Sequence, residues 1–86
     1  MKAKVYVSST CIWSGNLEIV PSIGSKVSLI THTYESGYFP GSSITFIITS
    51  ENPPHIDLTV NPPMLLLHAN GYHVDQAAPV PPGQDF

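Results

Sequence analysis

The residues best placed to do chemistry are His68, His73 and Asp75, close together near the end of the chain. Asn70-Gly71 separates two extended runs, residues 64–69 and 72–74. That dipeptide is the strongest short-range hairpin signal, because a type I′ turn needs positive φ at both central positions. A two-residue loop pairs Ala69 with Tyr72 and sets His68 opposite His73, with Cβ atoms roughly 4.5–5.5 Å apart. Asp75 lies two residues beyond His73, so it falls on the same face. Two imidazoles and a carboxylate so placed are a donor set for zinc or another divalent cation, with His32 and His55 as outlying additions. The same hairpin predicts a pH effect. Two facing imidazolium ions repel, which weakens the pair below about pH 6.

Other chemistry finds no pattern to support it. There is no G-x-S-x-G elbow for a serine nucleophile, and Gly41-Ser42-Ser43 reads as the polar start of a strand. Gly24-Ser25-Lys26 has a lone glycine and leads into a strand, so it is no phosphate loop. Glu18, Glu35 and Glu51 fall in unlike segments, with nothing to pair them as acid and base. Cys11 is the single cysteine, which excludes a disulfide framework and a CxxC pair. It is either a reactive thiol or a small hydrophobe beneath a sheet, and its bare surroundings point to the second. The expectation is a protein without enzymatic activity or cofactor.

The elements that would carry these residues are strands. Period-2 alternation recurs between Pro, Gly and Asn punctuation, the pattern of half-buried strands. In residues 2–8, Ala3, Val5 and Val7 share one face; in 26–32, Val27, Leu29 and Thr31 do. In 44–49, Ile44, Phe46 and Ile48 oppose Thr45, Ile47 and Thr49. The cleanest alternation is in 56–61, where Ile56, Leu58 and Val60 are expected to face inward. These last two runs flank a Pro-rich connector, residues 50–55, and read as an antiparallel hairpin with a long loop. Helical apolar spacing free of Pro and Gly is absent. The expected fold is all-β: a small barrel or sandwich of five or six mainly antiparallel strands over residues 1–74, with an extended Pro-rich tail over 75–86.

Composition narrows the function. Charged residues make up 10% of the 86 positions, against about a quarter in an average globular chain. Ten serines and six threonines supply polar surface instead. Three lysines, no arginine and a net charge of -3 leave little to displace counterions from phosphates, so nucleic acid is not an expected partner. No apolar run nears the ~20 residues that span a bilayer, so a membrane is not expected either. Ser8, Ser9 and Thr10 interrupt any apolar core of a signal peptide. The expected location is therefore the cytoplasm, or a virion after assembly.

The stretch Leu17-Glu18-Ile19-Val20-Pro21-Ser22-Ile23-Gly24-Ser25-Lys26-Val27-Ser28-Leu29-Ile30 resembles the "P-x-I-G-x-x-V-x-L" opening of small SH3-like β-barrel proteins of bacteria and their phages. There a proline turn and a glycine lead into the first long barrel strand. The resemblance covers about half the chain and departs from the pattern in the loop from Tyr34 to Pro40. It implies a fold that binds or scaffolds, and a fold alone carries no activity.

Two segments supply candidate contact residues. Tyr34, Tyr38 and Phe39 lie in a loop between Gly37 and Gly41, either as a binding surface or as the cap of an open barrel end. Pro79, Pro81, Pro82 and the terminal Phe86 could anchor an extended tail on a partner. Residues 2–8 and 64–69, poor in charge, are the expected sheet edges for self-pairing. The expected function is a structural or protein-binding module: a homo-oligomer, or a subunit of a larger assembly such as a phage virion or tail component. Two alternatives are a small acidic inhibitor or adaptor of a host or defence protein, and a metal-binding protein using the His68/His73 pair.

Overall fold

The computed structural model describes residues 1–32 and 41–78. Among these residues seven strands form, more than the expected five or six: β1 (Lys2–Val7), β2 (Thr10–Asn16), β3 (Lys26–Ile30), β4 (Ser43–Ile47), β5 (His55–Asp57), β6 (Met64–His68) and β7 (His73–Gln76). They make a four-stranded sheet in the order β2-β1-β6-β5 and a three-stranded sheet in the order β3-β4-β7. Strands β1 and β6 run parallel. All other neighbours are antiparallel.

Alternation places the core where the sequence puts it for three of the strands. Ala3 and Val5 of β1, Leu29 of β3, and Ile44 and Phe46 of β4 are buried, and Thr31 and Ile48 continue their faces just beyond the strand ends. Leu65 and Leu67 of β6, with Ala69, close the same cluster. Both sheets therefore contribute to one apolar core, the condition for a two-layer β domain.

β2 escapes a simple pattern for two reasons. It follows a two-residue turn whose first central residue, Ser8, has φ of 54°. Type II′ turns need that left-handed position and usually fill it with glycine, so Ser8-Ser9 gives no hairpin signal. Opposite β1, Val5 pairs with Trp13 and Tyr6 with Cys11, which leaves Ile12 as an extra residue in a β-bulge. A bulge re-aims side chains, so consecutive residues serve the core: Ile12 is fully buried and Trp13 packs against the cluster. Cys11 is only half-buried, and its thiol donates to the Trp13 carbonyl at 3.4 Å. Ile12, not Cys11, fills the space beneath the sheet.

The strand partners differ from those expected. β4 pairs with β3 and β7, whereas β5 pairs with β6, so residues 44–61 are a crossover between sheets and not a hairpin. Asn70-Gly71 also hands the chain from one sheet to the other. Only Gly71 has positive φ there (75°), and type I′ geometry needs both residues left-handed. Strands β1 and β6 are central, so residues 2–8 and 64–69 offer no free edge. The margins of the sheets are β2, β5, β3 and β7. The His32 amide donates to the Ile12 carbonyl at 2.7 Å and so ties the end of β3 to β2. At the other end of the chain, the sheet continues through Asp75 and Gln76, two residues into the expected tail.

Candidate interaction surface

The predicted histidine constellation is not assembled. His68 ends β6, on the four-stranded sheet, where its ring lies 6.0 Å from that of Tyr6, its partner in the parallel pair. His73 begins β7, on the three-stranded sheet, opposite Thr45. The two imidazoles thus occupy different sheets and are not an opposed pair on one hairpin. Among the described residues no three His, Cys, Asp or Glu side chains gather closely enough to hold a metal. His32 instead tilts over Trp13, with ring centroids 6.1 Å apart, and His55 stands exposed on the edge strand β5.

Asp75 belongs to a different arrangement, on the outer face of the three-stranded sheet. The Thr45 hydroxyl donates to Asp75 Oδ2 at 2.6 Å. Its proton is thereby committed, so the Ser28 hydroxyl, 2.7 Å from Thr45 Oγ1, must be the donor in that pair. A one-way chain of hydrogen bonds thus braces β3, β4 and β7 side by side. His73 Nε2 lies 3.9 Å from Asp75 Oδ1, and the imidazole is 81% exposed. Each hydroxyl gives its one proton to the next acceptor, and the chain ends at the carboxylate. Beyond it runs a shallow groove of about 770 Å³, whose walls include Lys26, Thr49 and Asn70.

The clearest departure from the sequence pattern is at β5. Ile56 stands opposite Leu65, which is fully buried, yet Ile56 at the sheet margin is 44% exposed. Leu58 and Val60, expected in the core, are 76% and 43% exposed. The strand stops at Asp57 because that side chain folds back on the next turn. Its Oδ1 accepts from the Thr59 amide at 2.9 Å and from the Thr59 hydroxyl at 2.5 Å. Asx turns of this kind compete with the ladder for backbone groups. Ile56 therefore stands at the sheet edge, and Leu58 and Val60 lie exposed in the turn beyond it.

The turn has a pH signature. The Thr59 hydroxyl first, then the Thr59 amide, hold the Asp57 carboxyl below its ordinary value of 3.8; desolvation opposes them and His55 adds a small attraction. A depressed carboxyl stabilises the turn above the ordinary value and loses that contribution as pH falls through the lowered one. The Thr59 amide resonance should therefore titrate with a midpoint below 3.8 by NMR. A midpoint at or above that value would contradict the turn.

A second exposed apolar group lies on the loop between β2 and β3, where Ile19, Val20 and Ile23 are 78%, 42% and 56% exposed. Lys2 pairs with both Asn16 and Met64, and Met64 pairs with Asp57. The loops leaving Asn16 and Asp57 thus depart from the same end of the four-stranded sheet. No signal in the sequence marked this grouping, since it arises from strand order. The aromatic loop residues Tyr34, Tyr38 and Phe39, and the tail residues Pro79, Pro81, Pro82 and Phe86, lie outside the described residues. No family model, curated protein or solved structure matches this chain, so the surface stands on its own chemistry.

Proposed function

We propose that the protein works by contact, as a non-catalytic structural or protein-binding subunit of a larger assembly such as a virion or tail component. The observation that carries this reading is the exposure of three large apolar residues at one margin: Ile56 on the edge strand β5, and Leu58 and Val60 in the turn beyond it. Burying one such side chain fully contributes about 1.5–3 kcal/mol, and Leu58, 76% exposed, forgoes most of that while Ile56 and Val60 forgo a smaller part. Large apolar side chains left exposed together in one segment are a mark of interaction sites. The loop from Ile19 to Ile23 is a second exposed apolar group, leaving the opposite margin of the same sheet. Low charge and Ser/Thr-rich faces suit a surface that packs against other protein. Under this reading the aromatic loop (Tyr34, Tyr38, Phe39) and the Pro-rich end (Pro79, Pro81, Pro82, Phe86) are further points of contact, and the SH3-like resemblance supplies a scaffold without an activity.

Light scattering on the full chain tests the proposal. The expected result is a species heavier than the 9.3 kDa monomer whose proportion rises with concentration. A monomer at every concentration, the form suited to a small inhibitor, would contradict it.

A further inference from the structure

We propose that the recess between the two sheets beside Trp13 is a binding site for a small, uncharged apolar molecule about the size of benzene. The site is separate from the contact surface proposed above and does not depend on it.

The recess exists because one margin of the fold is left open. β2 ends one sheet and β3 ends the other, and among the described residues no ladder joins them. Just past β3, the His32 amide bonds to the Ile12 carbonyl and holds the two margins together at that point. Beside this margin lies a space of about 120 Å³. Val5 and Leu67 of the four-stranded sheet and Leu29 of β3 are buried at its floor. Trp13, Leu17 and Val27, each half-buried, form the rim through which it meets solvent.

The indole shapes this space. Val5 and Ala3 face inward and pair with Trp13 and Gly15, so Trp13 and Gly15 share the inner face of β2. A Cβ on Gly15 would stand 2.7 Å from Cη2 and Cζ2 of Trp13, so the ring runs along its own strand and over the glycine. His32 flanks it, with ring centroids 6.1 Å apart. Held in this way, the indole walls the recess instead of filling it.

The chemistry of the wall selects the occupant. Protein interiors hold few voids larger than a water molecule, so a space of this size is an exception to close packing. Water suits it poorly, because a bound water needs about two to four polar partners. None of the described residues on the wall is charged. Ser28 is the only polar one among them, and its hydroxyl lies 2.7 Å from Thr45 Oγ1 on the outer face. An ionised ligand would lose its hydration there and gain nothing in return. Apolar cavities of roughly 150 Å³ take up benzene or xenon, which sets the size of molecule that fits. In volume and in charge the recess therefore matches a neutral hydrocarbon group of that size.

Titration of the full chain with benzene, followed on its methyl resonances by NMR, tests the site. Shifts should saturate and concentrate on Val5, Val27, Leu29 and Leu67, with a change in Trp13 emission, while the exposed Ile19, Ile23 and Leu58 stay unmoved. Benzoate, with the same ring and a charge, should produce none of these shifts. Val27→Phe sends a ring into the space from its rim. It should keep the strand-rich circular-dichroism spectrum and weaken benzene binding by about tenfold or more. Shifts that rise without saturation, or that fall equally on the exposed apolar residues, would overturn the proposal. Saturable binding that Val27→Phe leaves intact would place the ligand elsewhere and overturn it too. If that variant does not fold, saturation and the map of shifted methyls on the parent chain decide alone.

Discussion

Replacing Phe46 with alanine is expected to remove about 3–5 kcal/mol of stability in urea denaturation. Phe46 is 2% exposed in the middle of β4, the central strand of the three-stranded sheet, and is among the largest fully enclosed side chains. Truncation deletes a ring from a core shared by both sheets and leaves a void that rigid strands fill poorly. A chain of 86 residues has roughly 4–13 kcal/mol in total, so the variant should lose a large fraction of its margin. The adjacent residue supplies the control. Ile47 points to the opposite face and is 48% exposed, so Ile47→Ala should cost less than about 1 kcal/mol. Equal losses at the two positions would refute the pleat assigned to β4.

Gly15→Val should dislodge the only tryptophan. A Cβ built on Gly15 falls 2.7 Å from both Cη2 and Cζ2 of Trp13, so the indole lies flat across a position that admits no side chain. The ring packs against the core and lines an apolar recess of about 120 Å³ with Leu17, Val27 and Leu29. A valine forces it outward, with an expected loss of about 1–3 kcal/mol from strain and lost burial. Tryptophan emission should shift to longer wavelength as the indole meets water. Unchanged emission and unchanged stability would show that the ring does not occupy this place.

These residues also show what the chain discloses in advance and what it withholds. Alternation reports the face on which a side chain stands, and Ala3, Val5, Ile44, Phe46 and Ile48 are buried as their spacing requires. It does not report the neighbouring strand. The hairpins expected over 44–61 and across Asn70-Gly71 both fail because the chain changes sheet at each connection. At Gly71 the cause is local, since one left-handed residue makes a different turn from two. At β2 the bulge at Ile12 breaks the period, and Ser8 adopts a conformation that serine seldom signals.

The candidate site was partly legible in the same sense. Ile56, Leu58 and Val60 stood out by their spacing, but spacing cannot tell a face covered from within from one covered by another molecule. Asn70-Gly71 predicts His68 opposite His73 through a type I′ turn that does not form. Once the strand order is known, the open edge moves from β1 and β6 to β5, and the apolar row acquires a different meaning.

Hydrogen–deuterium exchange of residues 55–61, followed as protein concentration rises, tests most directly whether this exposed apolar segment is a contact surface. Amide protection should increase with concentration in that segment while the central strands β1 and β4 stay protected throughout. Rapid exchange at 55–61 that is indifferent to concentration would contradict the account.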